Sequence, residues 1–460
     1  MKTRTACALF AVAALTAAAL AHAGFSAALS DYNAGHYEAA RGQFAAMAEL
    51  GDCSSQFNYG MMALKGQGGP KDVGAAVGWL EAAAGNGCQE LVGGRLAALK
   101  SALVDKEREA AAQVLAHYGH DALRAAGIVE PELDCPARVN AAVLQTVTPE
   151  YPSPPGSAPR NGVVIGRLTI GVDGRARDPE ILLSAPDQEF AAAAVEVWLH
   201  ERFRPTMQGG TAVESRLEVG LPFAIAGGEA LWTRGTYKDA RAAAEAGDPG
   251  AEYLVGLAAT ADSKLGIAPA RAHELLIFSA RDGNPQAQYW LGAQLRATAA
   301  CHPQVNGAPW LKHAAAGGDA SAQLLLAVGL LAGNPSDSQV TEARGLLERA
   351  ATTDSFYVRK HVAALLAAAP LTALRDPATA AQVAGRLAAG GIQSDPQMFE
   401  VLAAADAAGG DFPGAVTQQQ IAIHKAHDLQ WDTRAMEERL SAYRDRRAWQ
   451  GALLAEPSAT

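Results

Sequence analysis

Three stretches of the chain, AEAGDPGAEYLVGL (244–257), ARDGNPQAQYWLGA (280–293) and AAGGDASAQLLLAV (315–328), are variants of one another. Their shared glycines, Gly247, Gly283 and Gly318, stand 36 and 35 positions apart. Each glycine suits the end of one helix, and a new helical period begins just after it. Partner segments lie between the copies: LLIFSA from 275, WLKHAA from 310 and LLERAA from 346. The unit is therefore a helix pair. One such pair cannot bury its apolar face alone, so the chain must stack copies into a helical array.

The N-terminal part carries the same grammar in FNYGMMALKGQGGPKDVGAAVGWLEAAAGNG (57–87). Alanines let helices approach, Trp79 fills the space between pairs, and Gly66 and Gly68 permit a tight reversal. Tyr59, Gly60, Gly66, Gly68, Asp72, Ala76, Trp79, Leu80, Ala83 and Ala84 make this stretch resemble the Sel-like repeat, a relative of the TPR. DYNAGHYEAARGQFAAMAELGD (31–52) is a looser copy. In the tail, Gly409, Asp411, Phe412, Ala415 and Ala422 resemble a TPR followed by a capping helix, although an ordinary helical hairpin uses the same residues.

One segment breaks the helical rhythm. Val213, Ser215, Leu217, Val219, Leu221 and Phe223 alternate with Glu214, Arg216, Glu218, Gly220 and Pro222, giving a strand with one apolar and one charged face. Upstream, LDCPARVNAAVLQTVTPEYPSPPGSAPR (133–160) is too rich in proline to continue a helix. VVIGRLTIGV (163–172) then reads as a strand, Asp173-Gly174 as a hairpin turn and ARDPEILLS (176–184) as the return. DQEFAAAAVEVWLHER (187–202) is an amphipathic helix with Phe190, Ala194, Val197 and Trp198 on one face. The order is strand, strand, helix, strand.

This unit resembles the TonB C-terminal domain. Pro149, Tyr151, Pro152, Gly162, Asp173-Gly174, Ser184, Trp198, Phe203, Pro205, Gly209 and Val213 carry the resemblance. It implies a three-stranded sheet with one helix, whose last strand leaves its edge free for a peptide from an outer-membrane transporter. The residues implied at that edge are Val213, Glu214, Ser215, Arg216, Leu217, Glu218 and Val219. An unpaired edge accepts an extended peptide through backbone hydrogen bonds, and 213–221 holds no proline to prevent it. The other reading is that the repeats cover this edge and the unit only packs. A TonB energy transducer needs an uncleaved membrane helix, a long proline/lysine-rich spacer and a terminal domain. The sequence departs from all three, which argues against energy transduction.

MKTRTACALFAVAALTAAALAHA places Lys2 and Arg4 before an apolar run that ends in Ala21-His22-Ala23, the pattern of a cleaved signal peptide. Export to the periplasm of a Gram-negative-type envelope is the expectation, with Gly24 as the first mature residue. Cys53, Cys88, Cys135 and Cys301 would then meet an oxidising compartment, where four cysteines allow three pairings. Cys53 with Cys88 is the leading pair, because the two fall at like places in successive repeats. Stacked helices usually separate equivalent Cα atoms by more than the roughly 7 Å a bridge tolerates, so buried thiols are the alternative.

Acidic residues number 48 against 38 basic ones, a net charge of −10, and no basic cluster meets aromatics. Nucleic acid is excluded as a partner class. No G-x-S-x-G, P-loop or H-E-x-x-H is present, so the chain reads as no enzyme, without catalytic residues, metal or cofactor. His117/His120 and His424/His427 are spaced to share a helix face, but neither pair has a third ligand. Trp232, Trp290, Trp310 and Trp431 read as core.

The fold class is mostly α: TPR/Sel-like helical repeats flanking a small α+β domain of β-β-α-β order. The divisions are a signal peptide (1–23), Sel-like repeats (24–130), a linker (131–148), the TonB C-terminal-like domain (149–226), a second Sel-like block (235–390) and a TPR-like tail (391–450). The function expected is a periplasmic protein–protein interaction scaffold whose partners are envelope or periplasmic proteins, an outer-membrane receptor peptide among them. The alternatives are a component of TonB-dependent outer-membrane transport and an envelope enzyme with an unrecognised site.

Overall fold

The computed structural model describes residues 24–131, 133, 135, 138–151, 161–185, 188–223, 236–261, 265–299, 301–302, 305 and 307–454. The signal peptide, Trp232 and the proline-rich run 152–160 lie outside them. Two compact units are present. One holds residues 1–132, 276–295 and 304–319, and the other holds 133–275, 296–303 and 320–460. The second helical block is thus divided between the units, although its sequence repeats run on without a break.

The repeats obey a local rule finer than glycine alone. Gly247, Gly283 and Gly318 all have φ between 82° and 92°, the left-handed region that ends a helix. Next comes an Asp or Asn whose carboxylate or amide oxygen accepts the N–H three residues on. Asp52 caps Ser55 at 2.7 Å, Asp248 caps Ala251 at 2.8 Å and Asn284 caps Ala287 at 2.9 Å. Five positions after each glycine stands a buried Gln or Glu: Gln56, Glu252, Gln288 and Gln323. Gln56 Nε2 donates to the Ala48 carbonyl at 3.0 Å, and Gln288 Nε2 donates to Ala280 at 3.1 Å. In these two copies the glutamine reaches the C-terminal end of the preceding helix, where carbonyls have no helical partner.

In the first unit, helices Phe25–Asn33, Tyr37–Glu49, Cys53–Lys65 and Val73–Ala83 form the leading pairs. Trp79 stacks on Tyr118 with centroids 4.6 Å apart and meets the edge of Tyr59 at 5.2 Å. Cys53 opens its helix, whereas Cys88 sits at the end of a π-turn, Ala84–Cys88, that continues the Val73–Ala83 helix through Gly87. Cys88 therefore does not occupy the equivalent place in a stacked helix. The chain folds back, and the two Cα atoms stand 5.5 Å apart across a disulfide. His117 and His120 do not share a helix face. The Asp105–Tyr118 helix stops, Gly119 is extended, and a new helix starts at His120.

In the second unit lie β1 (Arg138–Val139), β2 (Ala142–Gln145), β3 (Gly162–Ile170), β4 (Ala176–Ala185), β5 (Arg202–Arg204), β6 (Thr206–Gln208), β7 (Thr211–Val213) and β8 (Ser215–Phe223). The principal sheet is antiparallel in the order β4-β3-β8, while β1-β6-β7 and β2-β5 form smaller sheets. Residues 131–148, read above as a linker, supply β1 and β2. Proline at both flanks masked two short strands that earn their place by pairing with β6 and β5. Cys135, just before β1, is bridged to Cys301, with Cα atoms 5.6 Å apart.

Candidate strand-edge interaction site

β3 is central, and its nine residues are all buried, so both faces of the sheet are covered. On one face lies the helix Glu189–His200. Gly162 and Gly166 make room for it: a Cβ at Gly162 would stand 2.5 Å from the Phe190 ring, and one at Gly166 would stand 2.7 Å from Trp198. Val164, Leu168, Ile170, Phe190, Ala194 and Trp198 form this core, with Leu217, Val219 and Leu221 at its margin. Tyr151, Phe190 and Phe223 close one end in edge-to-face contacts of 5.1 to 6.1 Å.

The charged face is not turned to water. The helix Phe356–Ala368 lies across it, with the start of Pro396–Ala408 alongside, and a network of ion pairs fills the gap. Arg216 Nη2 donates to Glu180 at 2.8 Å and Arg216 Nη1 stands 3.3 Å from Asp178. Lys360 Nζ donates to Asp395 at 2.7 Å and lies 3.0 Å from Asp178. His361 Nε2 is 2.9 Å from Asp178 Oδ1, and Arg167 lies between Glu180 and Glu218 at 3.7 and 3.8 Å. The Arg216 guanidinium also sits 5.0 Å over the Tyr357 ring.

Asp178 is the hub. Its φ of 54° places it in a bulge where the β3–β4 register shifts, which turns its carboxylate toward the helix. Burial alone would raise that carboxyl, but His361, Lys360 and Arg216 hold it well below the usual carboxylate range. For Lys360, burial acts against the ammonium, yet Asp395 and Asp178 outweigh it and its pKa rises. Buried charges persist only when paired in this way.

β8 carries most of the edge residues expected from sequence. Ser215, Arg216, Leu217, Glu218 and Val219 face Ile170, Thr169, Leu168, Arg167 and Gly166 of β3. Val213 belongs to β7, opposite Thr206 of β6, and Glu214 is exposed between the two strands. Among the described residues β8 pairs with β3 alone, which makes it an outer strand. The helix Pro249–Ala261 ends beside it: Thr260 Oγ1 donates to Glu218 at 2.6 Å, and a Cβ at Gly220 would stand 2.5 Å from that of Ala261. β4 is the opposite outer strand, but Pro179 and the Asp178 bulge interrupt it.

Lys360, His361 and Asp395 escaped the sequence reading. A signal was present: Arg359-Lys360-His361 lies inside FYVRKHVAALLAA, a helix otherwise suited to burial, and such cations demand carboxylates nearby. Elsewhere, His117 Nδ1 donates to the Gln113 carbonyl, and His120 meets Asn86. No group of three or more His, Cys, Asp or Glu able to hold a metal ion occurs among the described residues. Trp290, Trp310 and Trp431 are buried core residues.

The molecule is thus a helical-repeat protein carrying one small α+β domain. Residues 147–225 match the family model of the Gram-negative bacterial TonB protein C-terminal, so the sheet and its helix are a TonB C-terminal-like domain set in mid-chain. A crystal structure of a protective antigen from uropathogenic Escherichia coli strains, which displays an SLR fold, is similar at 16% identity over 92% of this chain and 85% of that one, with a TM-score of 0.28. No curated protein matches the chain.

Proposed function

We propose that the chain is an exported, periplasmic interaction scaffold whose TonB C-terminal-like domain captures an extended segment of an envelope protein along the outer edge of β8. The observation that carries this reading is the position of β8: an outer strand, free of proline from Ser215 to Leu221, in a sheet whose other outer strand is interrupted. The match of 147–225 to the TonB C-terminal family model supports it. The ion network supports it too, because a sheet clamped on both faces presents its edge with little loss of conformational entropy on binding. The leader sequence and the two disulfides are consistent with an oxidising compartment. No helix among the described residues is long and apolar enough to cross a membrane.

A photoreactive residue replacing Glu214, beside β8 and exposed, tests the reading in living cells. Cross-links to one extended partner segment are expected, and a receptor of the outer membrane among the products would identify the transport role. The same probe at exposed Val104 on the repeats serves as comparison. Partner cross-links from Val104 alone would move the binding role to the helices.

A further inference from the structure

A second edge, in the smaller sheets, has the composition of an interaction site. Among the described residues β2 is an outer strand: it pairs with β5 on one side, and β5 is flanked on its other side by Arg175. Edge strands of soluble proteins are usually blunted by charge or proline. β2 is Ala-Val-Leu-Gln, with Val143 exposed at 42% and Leu144 at 68%. Val139 of β1 and Val172 of the β3–β4 turn are exposed at 53% and 60%. Scattered exposed valines need no explanation, but two adjacent exposed apolar residues, Val143 and Leu144, on one outer strand do.

Two arginines of β5 stand beside this edge. Arg204 stands opposite Ala142, and Arg202 stands opposite Gln145, with a bulge at Leu144 between them. Strand alternation puts Arg202 and Arg204 on the same face of β5. Among the described residues Arg202 donates to the His200 and Glu201 carbonyls and to Gln430, and the Arg175 guanidinium donates to Gln430 at 2.6 Å. None of these three guanidiniums meets a carboxylate among the described residues. Of the carboxylates nearby, Asp173 is taken by Arg177 at 2.6 Å, and Glu201 accepts from the Val147 backbone.

We infer that the outer edge of β2 is a second strand-addition site, for an extended segment that alternates apolar residues with carboxylates. The backbone of β2 would supply the pairing, Val143 and Leu144 the apolar contact, and Arg202 and Arg204 the charge-assisted hydrogen bonds. The site is separate from β8 and stands whether or not β8 binds a partner.

Fluorescence anisotropy with the full mature chain tests this, using a labelled short peptide of alternating valine and glutamate against one of alternating valine and lysine. The acidic peptide is expected to bind and the basic one not. Arg204→Glu should weaken binding by about tenfold, as for loss of one charged hydrogen bond. Leu144→Gln should weaken it while leaving the melting temperature unchanged, since Leu144 is largely in water. A Glu214→Ala change beside β8 should have no effect. Absence of acidic-peptide binding, or binding indifferent to both β2/β5 substitutions, overturns the inference. So does Arg204-dependent sedimentation with anionic phosphatidylglycerol vesicles in the absence of peptide binding, which would make the patch a lipid surface.

Discussion

Asp178 and His361 lie 183 positions apart in the chain, yet His361 Nε2 stands 2.9 Å from the Asp178 carboxylate. That contact joins a strand of the TonB C-terminal-like sheet to a helix of the C-terminal repeats, and Lys360 extends it to Asp395. The sheet is therefore not a module hung on a linker. Its charged face is a docking surface for the chain's own helix.

Removing the central cation tests this joint. Lys360→Met would leave Asp178 and Asp395 buried without their ammonium, at a cost of about 3–5 kcal/mol. The melting temperature of the second unit should fall sharply. Adding Asp178→Asn and Asp395→Asn should restore much of the loss, whereas no recovery would mean that the helix packs there for reasons unrelated to charge.

Acid should loosen the same joint. The Asp178 carboxyl is held below its ordinary value in the folded chain, so its contribution is complete above the unfolded pKa near 3.8 and is lost as pH falls below it. Chemical denaturation between pH 6 and about 3 should show stability declining, and Asp178→Asn should flatten that decline.

The first unit should respond in the opposite sense. Burial, together with the charge of Asp52 and only partly relieved by Arg281, pushes the Asp282 carboxyl up to about 7. Its folded pKa exceeds the unfolded one, so stability is greatest below pH 3.8 and is lost as pH rises through about 7. Discounted for the partial exposure of Asp282, the effect is about 1–2 kcal/mol. Asp282→Asn should raise the melting temperature at pH 8 by clearly more than it does at pH 5. Equal effects at both would show that the carboxyl titrates normally.

Gly166→Val would drive a branched side chain into the Trp198 ring, costing about 1–3 kcal/mol by overpacking. Near-ultraviolet circular dichroism should report a displaced tryptophan. An unchanged spectrum and unchanged stability would place the helix Glu189–His200 elsewhere.

Peptide mapping without reduction should recover Cys53 linked to Cys88 and Cys135 linked to Cys301. The Cys53–Cys88 bridge spans 35 positions, so replacing both by alanine should cost about 3–4 kcal/mol on the chain-entropy account. Free thiols in unreduced protein would remove the pairing.

What could be read from sequence was local. Gly247, Gly283 and Gly318 announced the repeats because one backbone conformation recurs there, and the alternation of 213–223 announced β8 because its period is two. Asp173-Gly174 announced the hairpin. What could not be read depended on distance along the chain. Arg216 and Glu218 look the same in sequence whether water or a helix covers them, and the residues that decide it are Thr260, Tyr357, Lys360, His361 and Asp395. β1 and β2 were hidden because each is short and gains its stability from β6 and β5, far later in the chain. The division of the second block between two units has no local signature at all.

The central claim, capture of a partner strand by β8, is tested most directly by site-resolved amide hydrogen exchange across Ser215–Leu221, with and without the cross-linked partner segment supplied as a synthetic peptide. In the free chain, alternate amides bonded to β3 should exchange slowly and those facing outward quickly. On binding, the outward amides should become protected and the alternation should vanish. Binding that leaves β8 exchange unchanged while protecting amides in the repeat helices would contradict strand addition and assign recognition to the solenoid.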